Sequence, residues 1–91
     1  MLESALYEDI TQTGTIKRTW NSTGKTENVT VAFTTTFSKT PTVTVTPHSN
    51  STGCTANIVS VSLSSFIVAI SNGSKTGDLT WNWTAVGLVA K

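Results

Sequence analysis

Residues 79–87 read LTWNWTAVG and decide the expected fold class. Four apolar residues occupy every second position of this stretch: Leu79, Trp81, Trp83 and Ala85. Side chains alternate between the two faces of a β-strand, so the spacing predicts a strand with one apolar face. Its tryptophans either pack in a core or receive a ligand, and their alternation with leucine and alanine favours the core.

The composition extends the β prediction to the whole chain. Nineteen Thr and eleven Ser occur among 91 residues, and only 12% of the residues are charged. Side chains branched at Cβ pack well on a pleated sheet. A single domain of this size has a modest core, and association with further copies often completes its burial. We therefore expect an all-β domain that forms an oligomer.

Charge and hydropathy argue against two kinds of partner. The net charge is +1 and the longest basic run is the pair Lys17-Arg18, which is too little to hold nucleic acid. No apolar run approaches the roughly 20 residues that span a bilayer, and the N-terminus carries acids where a signal peptide carries bases. We predict no nucleic-acid binding, no membrane insertion and no export through the general secretory route.

Alternation and turn signals together predict six strands. Turn formers separate the segments, which cover residues 14–20, 29–33, 43–45, 56–63, 66–70 and 79–87. In the fourth segment the alternation predicts that Val59, Val61 and Leu63 face inward. Short strands at this spacing are typical of an antiparallel sandwich or barrel.

The fifth segment, FIVAI at residues 66–70, is apolar on both faces. Ile67 and Ala69 lie opposite the core-facing set, and Ile58 interrupts the polar face of the preceding strand in the same way. One face of a sheet in a two-layer fold lies in the core, so the second apolar face needs a cover from outside the fold. Another copy of the chain is the simplest cover.

The N-terminal residues show a different period. Leu2, Ala5, Leu6 and Ile10 recur at helical spacing. We expect residues 1–12 to form a short helical or extended segment, either a trimerising helix or a fibre junction, before a sandwich domain over residues 13–91. So short a helix is marginal alone and would pack beside its symmetry mates.

Five short motifs follow in a fixed order: G-x-I from Gly14, V-x-F at 31–33, FSKTPTVTV at 37–45, SVSLSSF at 60–66 and WTAVG at 83–87. In order and spacing they resemble the H-type lectin family and the related C-terminal modules of bacteriophage tail fibres, over about residues 14–87. The resemblance implies a six-stranded antiparallel β-sandwich that assembles as a homotrimer and holds carbohydrate near its subunit boundaries.

The resemblance also implies ligand-binding positions. In sugar-binding members a glycine and an acidic residue in the loop after the first strand contact the ligand, and Gly24 with either Thr26 or Glu27 matches that loop. Asn57 stands where the family has an arginine. Asn72 and the glycine after it stand where the family has a Trp-His pair, so the aromatic platform is missing and N-acetylgalactosamine specificity does not carry over.

Three further residues need an interpretation. Trp20 ends a predicted strand beside a turn-rich loop, which makes it the candidate aromatic for a ligand surface, with core packing as an equal alternative. His48 lies in a polar loop and is interpreted as an ordinary exposed histidine. Cys54 is the single cysteine, so it forms no intrachain disulfide and is interpreted as a small buried or loop thiol.

The sequence predicts neither a catalytic nor a metal site, and no motif indicates a cofactor. No histidine or second acid stands near a nucleophile, and Glu27 with Asp78 would be the only acid–base pair. One histidine, one cysteine and scattered acids provide no spacing for metal ligands. We expect a protein that is not an enzyme.

These features predict a receptor- or carbohydrate-binding module of a phage tail fibre or similar surface fibre, located on the virion and attached to host glycans through several copies. The alternative is a structural trimeric cap or virion decoration domain without a ligand. A third hypothesis is a secreted adhesin, whose sign would be the five N-x-S/T sequons. In a chain this rich in Ser and Thr we interpret the sequons as chance.

Overall fold

The computed structural model describes residues 6–48, 51 and 53–91, and over these residues the protein is all-β. Six strands follow in chain order: β1 (Tyr7–Trp20), β2 (Thr26–Ala32), β3 (Thr42–Pro47), β4 (Thr55–Val61), β5 (Ser65–Ser71) and β6 (Gly77–Ala90). They form two three-stranded antiparallel sheets with the strand orders β1-β6-β3 and β2-β5-β4. The predicted all-β class with antiparallel strands is confirmed, and each predicted segment overlaps one strand.

The central strand β6 carries much of the aromatic core. Trp81 is fully buried and Trp83 is 7% exposed. Phe66 of the other sheet packs edge-on against Trp83, with ring centroids 5.4 Å apart. A single hydrophobic cluster contains buried residues from both sheets. The predicted core role of these two tryptophans is therefore confirmed.

Gly14 provides the space that Trp83 occupies. The two residues are partners in the β1–β6 ladder. A Cβ atom on Gly14 would lie 2.5 Å from Nε1 of the Trp83 indole. Only a residue without a side chain lets this ring lie directly on the β1 backbone. This contact explains the glycine of the G-x-I motif.

Trp20 also belongs to the core, so of its two predicted roles core packing is confirmed and the place on a ligand surface is wrong. Its side chain is 8% exposed and packs edge-on against Trp81, with ring centroids 6.2 Å apart. The strand β1 stays in register with β6 as far as the pair Trp20 and Gly77. Alternation therefore directs Trp20 to the same inward face as Ile16 instead of into the following loop.

A β-bulge in β4 shifts the alternation of that strand. Ile58 pairs with Val68 and Ser60 pairs with Ile67, so three residues of β4 span two residues of β5. Because a bulge inserts one unpaired residue, it reverses which positions face the core. Ile58 shares a face with the core residue Val68, and its predicted place on the outer face is wrong. It remains 40% exposed because β4 is an edge strand.

Most of the predicted inward face of the fourth segment is wrong. Val59 is 55% exposed and Leu63 is 42% exposed. Of the three residues predicted to face inward, only Val61 packs against the core. Alternation fails at Val59 because the bulge interrupts the strand, and at Leu63 because β4 ends at Val61. Two large apolar side chains are consequently left at the surface.

Residues 7–12 are extended, so over these residues the extended alternative is confirmed and the helical one is wrong. They pair with residues 85–90 of β6, and Ile10 is the partner of Gly87. Leu2 and Ala5, which also supported the helix, lie outside the described residues. The strand β1 passes the predicted boundary between residues 12 and 13 without interruption.

The molecule is elongated. Its Cα radius of gyration is 15.2 Å and its principal extents are 55 × 21 × 17 Å. A compact domain of this length would have a radius of gyration of about 12 Å. The 14-residue ladder between β1 and β6 accounts for the long axis. A narrow domain buries less of its surface than a compact one, which leaves more for contacts with other chains to bury.

Candidate functional site

The outward face of the β2-β5-β4 sheet carries a regular group of small uncharged residues. The strand registers form two adjacent rows across the sheet: Thr26–Ser71–Thr55 and Asn28–Ala69–Asn57. Neighbouring strands lie about 4.8 Å apart and residues two apart along a strand about 7 Å. These six residues, named the polar patch below, therefore cover about 10 by 7 Å between Cα atoms. That is the scale of a sugar ring.

The polar patch is accessible and its outer side chains are uncommitted. The residues on β2 and β4 are all exposed: Thr26, Asn28, Thr55 and Asn57. None of these four side chains forms a hydrogen bond with another described residue. Hydroxyl and amide groups in this state can both donate and accept hydrogen bonds. Their arrangement suits a neutral ligand with many hydroxyl groups.

The structure brings three of the five predicted ligand-binding residues to this region. Thr26 and Asn57 belong to the polar patch, on the two strands that flank β5. Gly24 lies two residues before Thr26 in an exposed loop, and its N–H donates to the Gly73 carbonyl at 2.6 Å. The φ angle of Gly24 is 69°, a left-handed conformation that favours glycine.

Glu27 faces away from the polar patch. It is the register partner of Ile70, a core residue, whereas Thr26 lies on the opposite face. The Glu27 carboxylate accepts a hydrogen bond from Arg18 Nε at 3.0 Å. This ion pair connects the two sheets, and because both side chains are partly exposed it stabilises the fold only modestly. Of the two alternative ligand-binding residues, only Thr26 therefore lies on the polar patch.

Asn72 is a structural residue, and the structure contradicts its predicted contact with a ligand. Its side chain is fully buried. Its Nδ2 donates to the Ser22 carbonyl at 2.7 Å and to the Lys75 carbonyl at 2.6 Å, and its Oδ1 accepts from the Lys25 N–H at 2.7 Å. The amide thus fastens the loop at residues 21–25 to the turn at residues 72–76.

Cys54 is buried beside the same turn. Its thiol donates to the Asn72 carbonyl oxygen, with Sγ and O 3.4 Å apart. Burial raises the pKa of the Cys54 thiol, and the positive charge of Lys75 opposes that rise. A protonated thiol is a poor nucleophile. The interpretation of Cys54 as a small buried thiol is confirmed.

The two carboxylates considered for acid–base chemistry lie on opposite faces of the β1-β6-β3 sheet. Glu27 binds Arg18, whereas Asp78 accepts a hydrogen bond from the Thr19 hydroxyl. Arg18 and Thr19 are consecutive in β1, so their side chains point in opposite directions. The two carboxyl groups are therefore not placed to act on one substrate.

Over residues 6–48, 51 and 53–91, no group of three or more His, Cys, Asp and Glu side chains could hold a metal ion. No helix in the same ranges is long and apolar enough to cross a bilayer.

Sequence reasoning missed three members of the polar patch: Asn28, Thr55 and Ser71. Val29 and Val31 face the core, so alternation along β2 was enough to predict that Asn28 faces outward. No local feature of the sequence predicts the register that places β2 and β4 on either side of β5. The patch is a product of strand pairing, which is why neighbours in space are distant in sequence.

Comparisons with models of protein families, with curated proteins and with solved structures found no match. The resemblance to H-type lectins therefore rests on the sequence motifs and stays a prediction.

Proposed function

We propose that this protein is a non-enzymatic receptor-binding module of a bacteriophage tail fibre or similar surface fibre, and that it attaches to host glycans. The observation that carries the proposal is the polar patch, where five hydroxyl or amide side chains surround Ala69 on an accessible sheet face. The motif order that resembles H-type lectins supports the same function. The protein acts on the virion and needs no cofactor.

The chemistry of the patch favours a neutral carbohydrate. Asparagine amides and threonine hydroxyls match sugar hydroxyls, and Ala69 offers a small apolar floor for ring C–H groups. The patch contains no cation that would recognise phosphate or nucleic acid. It also lacks an aromatic ring for stacking, so each site binds weakly. Multivalent presentation compensates for weak individual sites.

The assembly we propose is a homotrimer of six-stranded β-sandwiches. Ile67 lies on the outward face of β5, and the elongated domain has a modest core of its own. Three copies on one axis would bury further apolar surface and present three polar patches together. Sites presented in this way gain avidity through their effective concentration.

A second candidate function is a trimeric cap or virion decoration domain that binds no ligand. One observation favours it: all three tryptophans are buried, so none of them offers a stacking surface to a sugar. Aromatic stacking contributes much of the affinity in many binding sites. The two functions share the trimer and differ in whether the polar patch binds anything.

A glycan array separates the two functions. The parent trimer should bind neutral glycans in the presence of a chelator, with little change as salt is raised. The double variant Asn28→Ala/Asn57→Ala should lose this binding and keep the parent's mass. Asn82→Ala is the matched control, because Asn82 is an exposed strand asparagine on the other sheet. Absence of binding by a trimeric parent would favour the cap.

A further inference from the structure

Beyond the polar patch, the outward face of the β2-β5-β4 sheet becomes apolar. The next row of the sheet is Thr30–Ile67–Ser60. The bulge residue Val59 adjoins this row, and Leu63 lies in the turn between β4 and β5. Val59 and Leu63 are two of the large apolar residues that the fold leaves exposed. We name Val59, Leu63 and Ile67 the apolar end.

We infer that the apolar end is the surface through which copies of this chain contact one another. The inference rests on the proposed trimer and specifies which surface forms it. Exposed apolar side chains that lie together on a small domain typically mark an interaction site. Here all three lie toward the turn end of the β4–β5 hairpin, and Ile67 on the outward face is half-buried within the single chain.

The charge pattern of this face suits a second copy as the occupant. The strands β4 and β5 contain no charged residue, and neither do the outward positions of β2. Two such faces meet without like-charge repulsion and without burying an unpaired charge. The outward face of the other sheet differs, because Lys17 and Asp78 project from it at a distance of 4.0 Å. A neutral apolar surface is thus complementary to itself.

The bulge determines how the copies meet. An edge strand with a regular ladder can pair with another edge and extend a sheet without limit. In β4 the ladder with β5 shifts register between Ile58 and Ser60, which leaves Val59 unpaired and 55% exposed. Contact therefore occurs through side chains instead of backbone pairing. Around a threefold axis, each apolar end meets its own equivalents, and the assembly closes.

This assignment also places the carbohydrate site. The polar patch directly adjoins the apolar end, since the row containing Asn57 is next to the row containing Ile67. If copies meet at the apolar end, each polar patch lies beside a subunit boundary. A neighbouring copy can then contact the same glycan, which makes the assembled trimer a better receptor-binding surface than three separate chains.

The test measures the mass of the full chain by sedimentation at micromolar concentration. The double variant Val59→Lys/Leu63→Lys should fall from the three-chain mass to the one-chain mass of 9.6 kDa, because the introduced ammonium groups resist burial. Val86→Lys is the matched control: Val86 is 46% exposed but lies on the other sheet, so this variant should remain trimeric. Near-ultraviolet circular dichroism verifies that each variant retains its tryptophan packing.

The outcomes separate this inference from the proposed function. A parent with the one-chain mass overturns both the trimer and the interface. A trimeric parent whose double variant also stays trimeric overturns the interface alone. Dissociation by Val86→Lys equally overturns it, by placing the contact on the other sheet.

A second measurement applies if the lysine variants do not fold. A cysteine introduced by Val59→Cys in a Cys54→Ala background should react with a thiol reagent more slowly than one introduced by Val86→Cys. Equal labelling rates in a trimer would show that Val59 stays accessible and would overturn the assignment.

Discussion

Replacing Asn72 with alanine tests whether the buried amide is structural. The substitution removes three hydrogen bonds, two donated by Nδ2 and one accepted by Oδ1. A typical intramolecular hydrogen bond contributes about 1 kcal/mol net, so the free energy of unfolding should fall by about 3 kcal/mol. A domain of this length has a total stability of roughly 5–14 kcal/mol. The loss is therefore a large fraction of the total.

Urea unfolding monitored by tryptophan fluorescence measures this loss, because all three tryptophans are buried. With a slope of about 1–3 kcal/mol per molar urea, the midpoint should fall by about 1–3 M. Parent and variant must be compared at one protein concentration, since association contributes to apparent stability. Asn57→Ala is the matched control and should change stability by less than about 0.5 kcal/mol. Equal stability of the two variants would refute the structural role of Asn72.

Three further perturbations follow from the core. Gly14→Ala should cost about 1–3 kcal/mol by overpacking Trp83, whereas Thr15→Ala on the exposed face should be nearly neutral; thermal melts check both, and equal effects would contradict the contact. Trp81→Phe should cost about 1 kcal/mol more than Trp20→Phe, because Trp81 Nε1 donates to the Thr55 carbonyl at 3.2 Å while Trp20 Nε1 has no partner among the described residues. A reversed order in urea unfolding would contradict that assignment. Because burial raises the pKa of Cys54 above its ordinary 9.0, the folded chain holds a proton that the unfolded chain releases, so stability falls as pH rises through and above that value. Cys54→Ala should flatten this fall. An unchanged slope of unfolding free energy against pH in this variant would contradict the raised pKa of Cys54.

The strands with regular alternation were the predictable part of the fold. In β6 the spacing of Trp81 and Trp83 identified the core face, because both residues lie in an uninterrupted central strand. In β4 the same reasoning failed at Val59, since nothing local in the sequence reveals which residue a bulge leaves unpaired. The sequence left Trp20 undecided between core and ligand surface for a related reason: the ladder with β6 extends to the last residue of β1, and only the register shows this.

The candidate site was less predictable than the core. Thr26 and Asn57 were identified through the family resemblance, and strand pairing does place them on one face. Asn72 was misassigned because an asparagine before a glycine is typical both of an exposed turn and of a buried amide that fastens loops. The hydrogen bonds that distinguish these cases join residues about 50 positions apart, as from Asn72 to Ser22. Such pairings are set by the tertiary fold.

Side-chain amide NMR spectra of the intact protein test the central claim most directly. The titrant is the neutral glycan that gives the strongest signal on the array. We predict that the Nδ2 resonances of Asn28 and Asn57 shift as glycan is added, while those of buried Asn72 and of Asn82 on the other sheet stay in place. Shifts confined to Asn82, or no shift at a concentration that saturates the array, would contradict carbohydrate binding by the polar patch.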